Sequence, residues 1–316
     1  MSPTTIFSPE SSAARMIFDL SLLVYVVCTV IFVVVSALLI YALVKYRKRK
    51  GDETREPAQI FGSKQIELAW TIIPIIIVLV LFLSSVRVIA ATQDARLPPG
   101  TIEVNVVGHQ YWWEYRYPGL GVVTANELHI PTSDPAKPTP TLLHLYSADA
   151  NHSYWVPRLN GKTDLIPNHP NQMWIDPEKP GLYLGQCAQY CGLQHAKMLL
   201  RVYVHSPDDF RRWIEEQKQP ARQVDAVARG RELFERTTCM NCHTIAGTAA
   251  TGRFGPDLTH LMSRETLAAG IVPNNRDNLR AWIKDPNTLK PGSLMPAIAF
   301  DDAELDAVTD YLMTLR

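Results

Sequence analysis

Apolar residues fall into three regimes along the chain. In the first, two uncharged runs extend from Leu20 to Val44 and from Leu68 to Val86, each long enough to cross a hydrocarbon layer of ~30 Å as a helix. They predict a transmembrane hairpin within residues 1–92, its helices at about 17–46 and 66–91, the second carrying a helix-kinking Pro74. In the second regime the stretch from Thr101 to Tyr117 alternates, with Ile102, Val104 and Val106 on one side. Further short β-like runs, Thr141 to Tyr146, Leu182 to Gln186 and Met198 to Val204, are separated by Pro- and Asn-rich turns at Ile130 to Pro140 and Ile166 to Gln172. Such spacing predicts an all-β Greek-key sandwich or barrel over residues 93–217. It closes with a short helix opened by Ser206 and Pro207, with Phe210, Trp213 and Ile214 facing inward. The third regime follows a polar linker at 218–224 that contains Pro220. There, Val227, Leu233 and Phe234, then Leu305, Val308, Leu312 and Leu315, recur at helical spacing, the last helix starting at Asp301 and Asp302. Residues 225–316 thus read as a small all-α domain, and the whole as a multidomain membrane protein.

Charge changes this picture in one respect. The formal net charge of zero over 316 residues gives no footing for a nucleic-acid partner. The distribution is informative: Lys45, Arg47, Lys48, Arg49, Lys50, Arg55 and Lys64 crowd the link between the two runs, against Arg15 and Arg87 on the outer flanks. By the positive-inside rule the link is cytoplasmic, so both termini and everything after about residue 92 are expected on the periplasmic or extracellular side of the inner membrane. The first run is too long for the core of a signal peptide and reads as a retained anchor.

Four of the five cysteines form two tight clusters, and Cys28 stands alone in the first apolar run. In the segment from Cys187 to Met198, Cys187, Cys191, His195 and Met198 place two thiols, an imidazole and a thioether within twelve positions. Thiolate, imidazole and thioether together form a soft donor set that favours copper. A second imidazole is needed, and His152 is the natural candidate. A disulfide with an incidental His and Met is the bland alternative, and a zinc site would leave the methionine unexplained.

With these residues the chain, from the apolar hairpin to about residue 204, resembles cytochrome c oxidase subunit II. The resemblance implies a cupredoxin fold carrying a binuclear CuA centre. Cys187 and Cys191 would bridge two copper ions, His152 and His195 would each hold one, Met198 would be a weak axial ligand, and the carbonyl of Gln189 would complete the set. Gln189 stands where the family commonly has a glutamate that helps bind magnesium, which puts magnesium binding through this subunit in doubt. The patch Tyr111, Trp112 and Trp113 matches the family's electron-path aromatics, with Tyr111 where a tryptophan usually receives electrons from soluble cytochrome c. Read from the residues alone, the same aromatics serve equally as sandwich core and rim. Glu67, at the start of the second run, matches a glutamate that in some members lies at the mouth of a proton path. An interfacial, solvated glutamate beside Trp70 is the other reading.

Cys239, Met240, Asn241, Cys242 and His243 spell the c-type haem attachment signature. On one helical turn two cysteines three apart share a face and can bond the haem vinyl groups, while the adjacent histidine ligates iron. Residues from about Asp225 to Arg316 resemble small class I cytochromes c. That resemblance implies close helix crossing at Gly230, a Pro256 carbonyl accepting from His243, and Met295 as the sixth ligand, with Met262 as its competitor. The combined resemblance implies an electron-transfer subunit that passes electrons from its own haem c to CuA and on to the oxygen-reducing, proton-pumping subunit I. Other oxidase subunits and membrane lipid would be its neighbours, and an upstream cytochrome or quinol-oxidising complex its donor. The copper subunit of a nitric oxide reductase and a free-standing membrane-anchored carrier remain alternatives.

Overall fold

The computed structural model describes residues 4–47, 59, 61–93, 97–222 and 224–316. Of the basic link, Lys48, Arg49, Lys50 and Arg55 lie outside the described residues. The chain divides into two compact units, Met16–Asp94 and a second made of Met1–Arg15 with Ala95–Arg316. The first consists of α1 (Ser12–Lys45), whose opening turn belongs to the second unit, and α2 (Lys64–Gln93). Both are long and apolar enough to cross a membrane, and their Leu, Ile, Val and Phe side chains point outward. The helix continues through Pro74.

The second unit begins with a β-sandwich. Its strands are β1 (Glu103–His109), β2 (Trp112–Tyr117), β3 (Val122–Ala125), β4 (Glu127–Pro131), β5 (Thr141–Ser147), β6 (His152–Trp155), β7 (Thr163–Leu165), β8 (Asn171–Ile175), β9 (Gly181–Cys187) and β10 (Leu199–His205). One sheet has the order β3-β2-β1-β5-β8 and the other β4-β10-β9-β6-β7. The pairs β1/β5 and β4/β10 are parallel. Alternation does what period two requires: Val104 and Val106 of β1 face Leu200 and Val202 of β10 in one buried core with Trp113, Tyr115, Tyr154 and Leu143. Full burial of each large apolar side chain is worth roughly 1.5–3 kcal/mol.

Two features differ from the sequence reading. The stretch Thr101 to Tyr117 is not one strand but the hairpin β1/β2, with His109 opposite Trp112. Its turn carries no Gly-Asn or Pro signal and is fixed from outside, by Asp149 Oδ2 accepting from Gln110 N at 2.7 Å. The expected turn from Ile130 begins inside β4. Between β3 and β4 the chain changes sheets at Asn126, which takes φ = 64°, a left-handed conformation that asparagine tolerates. Its side chain accepts from Trp113 N at 3.1 Å, which holds the corner.

α3 (Pro207–Gln217) starts as expected, Ser206 capping Asp209 N and Phe210 and Ile214 buried. The N-terminal segment packs on the same sandwich: Glu10 pairs with Arg158 at 2.9 Å, and the Ser11 hydroxyl donates to Leu159 O. Ser11 Oγ also accepts from Ala14 N at 3.1 Å, opening α1.

The helical region contains α4 (Ala228–Arg236), the single turn α5 (Cys239–Cys242), α6 (Arg276–Lys284), α7 (Pro286–Leu289) and α8 (Asp302–Leu312). A capping box between Asp301 and Glu304 starts α8. α4 crosses α8 at Gly230, where a Cβ would collide with the Ala307 carbonyl and lie 2.8 Å from Tyr311 Cβ. The expected architecture of two apolar helices, a cupredoxin-like sandwich and a helical domain is therefore present. Gly230→Ala should destabilise the helical domain by about 1–3 kcal/mol through overpacking. Urea unfolding followed by helical circular dichroism would register this, and an unchanged midpoint would show that the crossing tolerates a methyl group.

Candidate functional site

The metal-ligand candidates sit where β9 ends and β10 begins. Cys187 N donates to Met198 O at 2.9 Å, so the two residues close the loop between the strands. Ala188 N is held by Ser153 O at 3.0 Å, which ties the loop to β6 and to His152 at its start. Gly192, at φ = 128°, turns the chain back, with His195 N on Gly192 O and Met198 N on His195 O.

This folding brings all the sequence-predicted soft donors together. The Cys187 and Cys191 sulfurs lie 3.9 Å apart, both cysteines free and buried. A disulfide needs ~2.05 Å between sulfurs, so these thiols face each other unbonded. Cys187 Sγ is 3.9 Å from His152 Nδ1 and 3.2 Å from Gln189 O. Cys191 Sγ is 3.8 Å from His195 Nδ1 and 3.8 Å from Met198 Sδ. Ligand atoms of His152, Cys187 and Cys191 all lie within 4.8 Å of one another.

Asp149, which the sequence reading did not single out, sets the chemistry of His152. Its carboxylate accepts from His152 Nε2 at 2.8 Å, so the ring proton is on Nε2 and the Nδ1 lone pair faces the sulfurs. The spacing of three between Asp149 and His152 was the available signal. Burial alone would lower His152, but Asp149 and Cys187 carry it above the ordinary histidine value. Asp149 is held below the usual carboxylate range against the effect of burial, His152 being the main cause. Between the thiols the proton is unequally held: the hydrogen bond with Cys191 pulls Cys187 well down, and the same contact raises Cys191. The pocket therefore gathers two sulfurs and the Nδ1 atoms of two imidazoles, the donor set a soft metal ion requires.

The aromatic patch lies beside this loop. Trp113 is fully buried in the core, its ring 5.9 Å from that of His152. Trp112 stacks on His109 at 4.2 Å. Tyr111 packs on the loop itself, its hydroxyl accepting from Leu193 N at 3.0 Å. Glu67 is exposed in the first turn of α2.

In the helical domain, α5 places Cys239 and Cys242 on one turn, both free thiols. His243 follows, with Nδ1 2.8 Å from Pro256 O. Because a carbonyl only accepts, Nδ1 carries the proton and Nε2 keeps its lone pair. Burial lowers His243, which keeps it neutral and fit to ligate. Gly255 has no Cβ because one would stand 2.8 Å from His243 Nδ1. Arg264 is buried with its Nε–H unpartnered, close enough to His243 to lower its basicity, a placement that suits an anionic group such as a haem carboxylate. Met295 is half-buried in a loop, whereas Met262 lies in a 3-10 turn with its N–H on Leu315 O.

Comparisons with known proteins agree with this layout. Residues 4–88 match the family model of the cytochrome c oxidase subunit II transmembrane domain, 135–204 that of its periplasmic domain, and 227–316 that of cytochrome c. The chain is 33% identical to cytochrome c oxidase subunit 2 of Alkalihalophilus pseudofirmus, the match covering 99% of this chain and 91% of that one. It is also 33% identical to the same subunit of Bacillus sp. strain PS3, over 86% and 80% of the two chains. Quinol oxidase subunit 2 of Bacillus cereus is 25% identical over 69% and 75%. Among solved structures, the periplasmic domain of subunit II of cytochrome oxidase of Bradyrhizobium japonicum is 25% identical with a TM-score of 0.36, covering 39% of this chain and 96% of that one.

A Cβ at Gly108 would stand 2.8 Å from His152 Cδ2 and 3.0 Å from its Cγ. Gly108→Ala should displace the imidazole and weaken copper binding about ten- to hundredfold, the usual consequence of disturbing a ligand's support. Competitive titration against a chelator measures this; undiminished affinity would exclude His152 from the ligand set.

Proposed function

Because the chain belongs to the cytochrome c oxidase subunit 2 family, we propose that Cys187 and Cys191 bridge two copper ions in a CuA centre completed by His152, His195, Met198 and the carbonyl of Gln189. Family membership makes this chain an electron-transfer component of a haem-copper oxidase, associated with the other oxidase subunits and anchored by two apolar helices. The subunit II and cytochrome c domains imply a CuA copper centre and haem c. The observation that carries the two-copper reading is the pair of unbonded sulfurs with an imidazole and a further weak donor beside each.

In the same reading Cys239 and Cys242 would attach the haem, and His243 and Met295 would hold its iron. When bound, these groups would supply one-electron chemistry between an upstream cytochrome or quinol-oxidising complex and subunit I. The protein's part is to hold the donors still. Asp149 fixes the His152 tautomer, Pro256 O fixes that of His243, and the β9/β10 pairing sets the two ends of the loop that carries the sulfurs. Neither apolar run contains a histidine, so oxygen is reduced in another subunit. Domain limits of 1–92, 93–217 and 225–316, with a linker at 218–224, accommodate these sites. The N-terminal segment packs on the sandwich before α1 begins, and two spans return the chain to the side it left. Together with the basic link, this supports a periplasmic or extracellular position for both termini and both redox domains.

Cys191→Ser should abolish the mixed-valence copper spectrum while haem remains attached; a normal copper signal in that variant would refute the bridging role. Met295→Ala should lower the haem reduction potential substantially, since Met/His ligation raises it. Equilibrium redox titration reads this directly, and an unchanged potential would transfer the axial role to another residue.

A further inference from the structure

The helical domain is laid against the copper-ligand loop at several points. Leu199 N donates to Ala269 O at 3.2 Å, and Lys197 Nζ to Leu289 O at 3.0 Å. The Gln194 amide donates to Pro291 O. Gly292 leaves room for Leu193, whose Cδ1 would stand 3.1 Å from a Cβ there. Lys290, only 3% exposed, lies at the middle of this contact, its Nζ donating to Tyr111 O at 2.7 Å and to Ala268 O at 3.2 Å. Gln194 and Lys197 flank the copper-ligand candidate His195, and the turn 289–292 runs directly into the loop bearing Met295. Hydrogen bonds thus join residues within two positions of His195 to the turn that precedes the Met295 loop.

A second contact anchors the same interface from β4. Glu127, 1% exposed, accepts from Thr266 N at 2.9 Å, from Thr266 Oγ1 at 2.8 Å and from Glu265 N at 3.1 Å. Arg201 of β10 pairs with Glu265 at 2.8 Å. The connection to the helical domain is also tied down: His260 Nε2 donates to Gln217 O at 3.1 Å and Gln219 O at 3.0 Å.

Resting on the copper and haem reading above, we infer that Lys290 is a positioning residue that locks the chain's own cytochrome domain over the copper-ligand loop, so that this face is closed to a separately docked cytochrome. The Lys290 Nζ reaches one carbonyl on each side, Ala268 in its own domain and Tyr111 in the sandwich, so the second bond is lost when the domains separate. Burial pulls this lysine down to about 7, with Cys191 opposing and Lys197 adding to the effect. The Tyr111 carbonyl accepts from Lys290 and its hydroxyl accepts from Leu193 N, so both ends of this residue are tied into the contact.

The test uses the assembled oxidase with Lys290→Met, and with Gln194→Ala should the first variant not accumulate. Hydrogen exchange at the amides of Leu199, Glu265 and Thr266, which donate across the interface, should rise about tenfold, the effect of losing about 1.4 kcal/mol of docking. The amides of Leu258 and Met262, which bond within the helical domain, should keep their protection. After pulsed reduction of the haem, transfer to copper should slow about tenfold with both optical spectra unchanged. Unaltered exchange at the interface amides, or an unaltered transfer rate, would overturn the lock. So would equal acceleration at Leu258 and Met262, which would mean unfolding and not undocking. A parent complex without copper would sink the copper reading separately, because the exchange measurement reads the lock with no reference to metal.

Discussion

Two sulfurs are held 3.9 Å apart without bonding, and the pairing of β9 with β10 sets the loop that carries them. Cys187 is the last residue of β9 and Met198 immediately precedes β10, so the register of those strands, Leu199 opposite Gln186, fixes both ends of the ligand loop. A slip of one residue would turn Cys187 to the opposite face and remove it from His152. Gly185 guards this register from the other side, since a Cβ there would collide with the Trp155 carbonyl and lie 2.9 Å from Val156. Trp113 then packs edge-on against both His152 and Tyr154, which fixes the position of the imidazole beside the sulfurs.

What the sequence disclosed follows from how each feature is encoded. The soft donors were legible because their spacing is local and their chemistry is unusual. The β10 strand and α3 were legible because their apolar residues keep one period throughout. The division of Thr101 to Tyr117 into a hairpin was not, because the turn at Gln110 owes its position to Asp149, thirty-nine residues away. The sheet change at Asn126 rests on a single left-handed residue, and one asparagine among ordinary strand residues signals nothing by itself. Asp149 escaped for a similar reason: its spacing of three from His152 is the one trace in the sequence, and it acquires meaning only when the fold brings the carboxylate against the ring. The segment Lys290, Pro291 and Gly292 reads as a turn in isolation, and only the folded chain gives it a partner.

The interface between the two redox domains is built differently from either core. It buries Glu127, Arg264 and Lys290, charged groups whose removal from water is costly. Burial raises Glu127, opposed by the Thr266 hydroxyl, the Glu265 amide, Arg264 and Arg201. Contacts of this kind contribute little net stability compared with apolar packing, but they tolerate few alternative poses. An apolar patch of similar size would bind more readily and slide more easily. For a relay, whose coupling depends on which loops touch, one fixed pose matters more than strength.

Covalent linkage explains why a weak but specific interface is sufficient. Separate proteins must recover the translational and rotational freedom they lose on binding, which demands a large or very well packed contact. A short tether replaces that loss with an effective concentration in roughly the millimolar range. The connection from Gln217 to Asp225 is short, and His260 and the Ala221 amide, bonded to Ala246 O, pin much of it to the helical domain. The domain is therefore presented to the copper loop already near its final orientation. Six hydrogen bonds that each engage a backbone group across the interface can then select the pose.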